Sequence, residues 1–251
     1  MDLKIQDRLA LVTGASRGIG RVIAAALARE GARVILVARS QEQLDAVRKE
    51  IATTERQHHC YAIDLMAEDG VVHLIKAIAA DLGGPDIIVH NLGGSFGFPA
   101  FAPTEDWKKV WYFNVGIGHE VNRAFIPDMV KKRWGRIVHL STLSTVTYLG
   151  YPPYSSAKCA LNGYVKSVNR EVSKDNVIIS AVAPGTIYSE GRFFAKMQKE
   201  NPVALEEYFN NHLPTRRLGT AEDVAQVVAF LCSDLASFMA GSIVGVDGGG
   251  M

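Results

Sequence analysis

The sequence has few cysteines, few aromatic residues, almost no net charge and no long apolar run. Three cysteines, Cys60, Cys159 and Cys232, are spread through 251 residues. That odd number and wide spacing argue against a disulfide framework and for a reducing, cytoplasmic setting. The formal net charge is +1, so no global basic field is available for nucleic acid or an anionic membrane. No stretch is apolar over the roughly 20 residues needed to cross a bilayer. The opening residues "MDLKIQDRLALVTG" lack a signal peptide's apolar run and cleavage site. Repeats, low-complexity tracts and linkers are also missing. His58, His59 and Cys60 adjoin in a strand-like run, where neighbours point to opposite faces. No second ligand pair lies nearby, so no metal site is expected.

What is present is an alternation of two patterns. Short β-branched runs read as buried parallel strands at 8–13, 33–38, 58–63, 86–90, 136–141, 177–183 and 242–247. Between them lie helical stripes such as Ile19, Val22, Ile23, Ala26 and Leu27, or Val71, Leu74, Ile75, Ile78 and Leu82. "TAED" at 220–223 has the form of a capping box. The pattern predicts an α/β fold: one Rossmann-type domain over 1–251, a doubly wound parallel sheet of about seven strands with helices on both faces. The segment 188–214 is charged, aromatic and interrupted by Pro202 and Pro214. It reads as an irregular excursion over the sheet edge, a substrate lid.

The first chemical motif is "TGASRGIG" at 13–20, after a strand and before a helix. Gly14, Gly18 and Gly20 allow a tight turn and let backbone N–H groups approach a pyrophosphate at a helix N-terminus. An NAD site places an acid at the end of the second strand. Here that stretch is Ala38-Arg39-Ser40. Arg39 and Arg17 offer guanidiniums to a 2′-phosphate instead, so NADP(H) is the expected cofactor.

The second motif is "YSSAK", Tyr154 to Lys158, one helical turn apart. An adjacent ammonium is expected to favour the phenolate and draw the tyrosine's titration towards neutrality, as general acid–base catalysis requires. The bare pattern is ambiguous, because solvated helix faces also carry it. Its context is not. Ser141 closes the preceding strand thirteen residues earlier, Asn114 lies on the helix before that strand, "HNLGG" (90–94) ends the fourth strand, and Asp64 follows the third.

These motifs, in this order and with "PGT" at 184–186, resemble the short-chain dehydrogenase/reductase family from about residue 7 to "VDGG". The resemblance implies that Tyr154 is the catalytic acid/base and that Lys158 binds the nicotinamide ribose. It implies that Ser141 orients the carbonyl and that Asn114 completes a proton relay. Gly14, Ser16, Arg17, Gly18, Ile19, Gly20, Arg39, Ser40, Asp64, Leu65, Asn91, Gly93, Pro184, Gly185, Ile187 and Ser189 fall at cofactor-contacting positions, joined by Tyr154 and Lys158. A homotetramer is implied too. Three departures stand out. Leu92 is bulky in the fourth-strand turn. Ser189 replaces a common threonine. The stretch from Arg136 to Tyr154 is one residue short, so counting forward from the strand selects Thr142 as the hydroxyl and counting back selects Ser141; Ser141 is preferred, with Thr142 open. The general style resembles 3-oxoacyl reductases. "KKR" (131–133) reads as a solvated helix end, with a landing place for an acidic carrier protein as the alternative. An oxidative alcohol or sugar dehydrogenase and a non-catalytic NADP(H) sensor are the alternatives.

Overall fold

Seven β-branched segments pair into one parallel sheet in the order β3-β2-β1-β4-β5-β6-β7. The computed structural model describes residues 2–52, 56–191 and 193–250. The strands are β1 (Leu9–Thr13), β2 (Arg33–Ala38), β3 (His59–Ala62), β4 (Ile87–His90), β5 (Gly135–Leu140), β6 (Val177–Pro184) and β7 (Ile243–Val246). β1, β4 and β5 are buried at every residue, while the edge strands β3 and β7 are half-exposed. This is why the central strands are continuous apolar runs without alternation.

Helices cover both faces. The longer ones are α1 (Gly18–Arg29), α2 (Gln41–Ile51), α3 (Gly70–Leu82), α4 (Thr104–Trp111), α5 (Ile117–Lys132), α7 (Pro152–Val172), α8 (Phe193–Glu200), α9 (Pro202–His212) and α10 (Ala221–Leu231); α6 (Ser144–Thr147) is a single turn. Ile23, Leu27, Leu44, Val47, Val224 and Val228 pack one face. Leu74, Ile78, Val121, Phe125, Leu161 and Val165 pack the other. At α10 the Thr220 side chain accepts from Asp223 N and the Asp223 side chain accepts from Thr220 N, completing the capping box.

The chain reverses its winding between β1 and β4. At that switch point the carboxyl ends of adjacent strands splay their loops apart and leave a crevice. Thr13, the last residue of β1, spans it: its hydroxyl accepts from Asn91 N and Leu92 N, each at 3.1 Å.

The 188–214 segment departs from the irregular expectation, since it contains α8 and α9; Arg192 lies outside the described residues, as do the two end residues. Pro202 starts α9 rather than breaking a helix, with the Asn201 side chain accepting from Ala204 N. A missing N–H costs nothing in a first turn. Phe194 packs on Tyr208 at 4.8 Å between ring centroids, and Tyr208 on His212 at 4.9 Å. The Tyr208 hydroxyl lies 2.7 Å from Thr186 Oγ1, tying α9 to the turn after β6.

α4 and α5 join through a π-helical turn, Tyr112–Gly116, which carries Asn114. The wide turn aims a buried asparagine at the sheet's carboxyl edge.

Candidate active site

The glycine turn is built for close approach. α1 opens without a side-chain cap and without an acid in its first turn, so its leading N–H groups and the dipole's positive end face outward. A Cβ on Gly20 would fall 2.3 Å from Gly14 O and 2.5 Å from Asn91 Nδ2. The space is already used: Asn91 Nδ2 donates to Thr13 O and Gly14 O at 3.1 and 3.2 Å. The same asparagine therefore locks the β1 turn to the β4 turn. A Cβ on Gly93 would meet Asn114 Oδ1 at 2.7 Å and Lys158 Nζ at 3.1 Å.

A cleft of about 260 Å³ follows, lined by Ile19, Asn91, Gly93, Leu140, Ser141, Thr142, Tyr154, Lys158, Pro184, Gly185 and Ile187. Ser16, Arg17 and Gly18 lie in the turn beside it. Arg17 and Arg39 are exposed, and neither has an ion-pair or hydrogen-bond partner among the described residues. Most other arginines are matched, for example Arg21 with Glu50 and Arg217 with Asp223. Two free guanidiniums beside an uncapped helix N-terminus fit a dinucleotide with an extra phosphate. Ser40 is spent as the cap of α2, accepting from Gln43 N at 3.3 Å. Asp64 stands two residues beyond β3 and accepts from Met66 N at 3.0 Å. Leu65 is buried in the core. Ser189 is exposed and does not line the cleft.

Lys158 is 3% exposed, and its Nζ donates to Leu140 O at 2.6 Å. Burial drops it to about 7. Tyr154 does not follow the expected lowering. Burial raises it, with a hydrogen bond to the Thr142 hydroxyl acting the other way. The lysine nitrogen sits 5.8 Å from the phenol ring's centre. A desolvated lysine near 7 lends only part of a charge, so desolvation of the phenol wins.

The two candidate hydroxyls both line the cleft but have different partners. Ser141 Oγ donates to Asn162 Oδ1 at 2.6 Å, so it is held against α7. Thr142 is the residue whose hydroxyl reaches Tyr154. Asn114 is 6% exposed; its amide donates to Gly94 O and Val110 O, and its oxygen accepts from Gly94 N at 3.1 Å. It pins the β4 loop beside Lys158.

Tyr154 also borders a second cleft, of about 410 Å³, with Ser95, Ser144, Leu149, Gly150, Tyr151 and Pro152. Among the described residues no charged side chain lines it. The two clefts thus meet at the phenol.

Behind the site lies a buried polar cluster that the sequence reading missed. His90 and His139 are register partners on β4 and β5, stacked at 4.4 Å. His90 Nε2 donates to Asn122 Oδ1 at 2.8 Å, and Asn122 Nδ2 donates to His139 Nε2 and the Tyr164 hydroxyl at 3.2 and 3.1 Å. Burial lowers His90 to about 4 and His139 well below its ordinary value. Two histidines, each a strand's last or next-to-last residue, were the available signal. Elsewhere, His58 accepts from Val34 N at 3.1 Å, a structural use. Lys131, Lys132 and Arg133 each pair with a carboxylate: Asp128, Asp86 and Asp175.

The family model described as "Enoyl-(Acyl carrier protein) reductase" matches residues 14–250. The 3-oxoacyl-[acyl-carrier-protein] reductase FabG of Aquifex aeolicus is 35% identical over 99% of both chains, and that of Pseudomonas aeruginosa is 34% identical over 98% of both. Among solved structures, L-sorbose reductase of Gluconobacter frateurii, complexed with NADPH and L-sorbose, superposes with a TM-score of 0.91 at 30% identity, covering 100% of this chain and 98% of that one. A 3-oxoacyl (acyl-carrier-protein) reductase of Agrobacterium tumefaciens with NADP bound gives 0.90 at 28% identity, over 99% and 96%. With its uncapped glycine turn, its strand-end hydroxyl and its Tyr154–Lys158 helix, the chain belongs to the short-chain dehydrogenase/reductase family.

Proposed function

We propose that this protein is an NADP(H)-dependent carbonyl reductase acting on a small-molecule ketone. The observation that carries the reading is the place of Tyr154, where a cleft holding Lys158 and the cofactor-side loops meets the second cleft; its buried phenol, raised by desolvation, suits the general acid of a reduction. NADPH, when bound, would supply the hydride. Tyr154 delivers its proton to the carbonyl oxygen, and Thr142 donates a second hydrogen bond to that oxygen. Lys158, anchored on the Leu140 carbonyl one helical turn from Tyr154, would hold ribose hydroxyls of the cofactor. Asn114 pins the Gly94 backbone beside Lys158. Arg17 and Arg39 bind the 2′-phosphate.

The relatives support a 3-oxoacyl ester as one substrate form. Delivery by an acyl carrier protein at Lys131–Arg133 gains no support, because all three cations are already paired. We infer a homotetramer, supported by the half-exposed apolar edge strand β7 and the exposed Phe238. The unpaired cysteines Cys60, Cys159 and Cys232 support a cytoplasmic setting. Among the described residues no helix is long and apolar enough to cross a membrane.

Fluorescence titration with NADPH and NADH tests the reading on wild type and Arg39→Ala. The expected result is tighter NADPH binding, with the preference cut about tenfold in the variant, the loss of one charge-assisted contact. Equal affinities in the wild type overturn the arginine assignment. A Tyr154→Phe variant that binds NADPH and still reduces ketones overturns the acid assignment.

A further inference from the structure

Lys158 lines the cleft of about 260 Å³ and is still only 3% exposed. Among the described residues no carboxylate pairs with it. Its Nζ makes one hydrogen bond, to the uncharged Leu140 carbonyl at 2.6 Å. An ammonium taken out of water without a counter-charge is pushed towards the neutral amine. A titration near neutrality, at about 7, follows from that burial. The buried imidazole of His139, which shares its surroundings, is held neutral by its own desolvation. Surface lysines differ: Lys108, Lys131 and Lys132 are exposed and each pairs with a carboxylate.

A neutral amine is a nucleophile. One N–H of Lys158 is spent on Leu140 O, and among the described residues no group donates to the nitrogen, so its lone pair is available to the cleft. Gly93 keeps the nitrogen uncovered, since a Cβ there would fall 3.1 Å from Nζ. The Tyr154 ring centre lies 5.8 Å from the same atom. The phenol and the Ser141 and Thr142 hydroxyls line the same cleft. A desolvated lysine beside a proton donor is the arrangement that addition to a carbonyl requires.

We propose that Lys158 is a covalent modification site for neutral β-dicarbonyl compounds, which condense with its amine unless a bound dinucleotide shields it. The nitrogen bonds to one carbonyl carbon, the C=O electron pair moves to oxygen, and that oxygen takes the Tyr154 proton. The nitrogen then returns a proton to the tyrosinate, leaving a carbinolamine. Tyr154 protonates its hydroxyl, which departs as water. The iminium that remains loses a proton to the tyrosinate from the carbon between the two carbonyls, giving an enaminone. One water leaves, and neither an oxidant nor a reductant is needed. The second carbonyl selects the class: its conjugation with nitrogen holds the adduct against hydrolysis, whereas the imine of a simple ketone reverts in water. A 3-oxo ester belongs to this class, so such a compound arriving before NADPH would cap the lysine. The inference goes beyond hydride transfer and stands whether or not the protein reduces ketones.

The test incubates full-length, cofactor-free wild type with acetylacetone at pH 7 and follows intact mass, near-ultraviolet absorbance and peptide maps. A single adduct, formed with loss of one water, is expected on Lys158. It should form at least about tenfold faster than on any other lysine, because an exposed lysine titrating at about 10.4 is almost wholly protonated at that pH. Saturating NADP⁺ is expected to slow the reaction at least about tenfold, and Lys158→Arg to abolish it; protection of the wild type keeps the test decisive if the variant does not fold. The adduct should no longer bind NADPH in a fluorescence titration. Labelling spread over surface lysines, or an unmodified Lys158 in protein that still binds NADPH, overturns the proposal. Labelling of Lys158 at the same rate with NADP⁺ present overturns the shielding. Failure of wild type to reduce any ketone bears on the reductase reading alone, a distinct result.

Discussion

Thr142 and Ser141 are neighbours with opposite fates. A strand's alternation turns adjacent side chains to opposite sides, and the turn beginning after Leu140 hands one hydroxyl to Tyr154 and the other to Asn162. Thr142→Val is expected to lower kcat about 100-fold, the scale of losing one donor to a developing oxyanion. Ser141→Ala is expected to leave kcat within a few-fold and to reduce stability by about 1 kcal/mol, by stranding the Asn162 oxygen. Steady-state kinetics and urea melts on the two variants separate these outcomes; a reversed pattern restores Ser141. The ambiguity was visible in the sequence as a stretch one residue short. Counting could not resolve it, because the deletion sits between the two anchors used for counting. Burial was equally hidden. Spacing places Lys158 one turn from Tyr154, but whether the ammonium is hydrated decides which way the phenol shifts, and hydration is a tertiary property.

Elements were more legible where local chemistry alone dictates them. The Thr220 capping box, the α1 stripe and the β-branched strands each rest on interactions within a few residues, so sequence and structure agree to within a residue or two. The α8–α9 pair was concealed by Pro202, which ends a helix in its interior but begins one at its first turn. The Asn122 cluster joins four elements, β4, β5, α5 and α7, and no single segment announces it. It is the polar tie in an otherwise apolar layer. Asn122→Leu is expected to destabilise the protein by about 3 kcal/mol, because the His90 donor, the His139 acceptor and the Tyr164 hydroxyl all lose their partner. Chemical denaturation measures this; a loss below about 1 kcal/mol would mean that water replaces the amide.

For the molecule as a whole, its buried ionisable groups set the pH of greatest stability. His90 titrates near 4 when folded against an ordinary 6.5, so stability is lost as pH falls through that interval. Lys158 titrates near 7 against 10.5, so stability rises with pH across that second interval, by about 1.4 kcal/mol per unit. Cys232 and Tyr61 act in the opposite sense. Burial raises both to about 12, from 9.0 and 10.0 respectively, so their contribution is lost as pH climbs past their ordinary values. The unliganded protein is therefore expected to be most stable at about pH 9 to 10. Lys158→Met should remove the rise above pH 7 and leave a broad plateau from about 6.5 to 9. Denaturation midpoints taken across pH check both; a wild-type maximum at pH 7 would show Lys158 to be hydrated.

The π-helical turn at Tyr112–Gly116 carries a genetic consequence. Such a turn holds one residue more than the α-helix on either side of it needs. Loss of a single codon there would let α4 and α5 fuse into one regular rod, at no cost in hydrogen bonds. Because the turn absorbs that extra residue, α4 and α5 would keep their buried faces, and the change would fall on the turn itself, carrying the Asn114 amide away from Gly94. An in-frame one-codon deletion in this protein is thus expected to yield a folded chain with a disabled site, an outcome that deletions inside α5 or β5 would not produce.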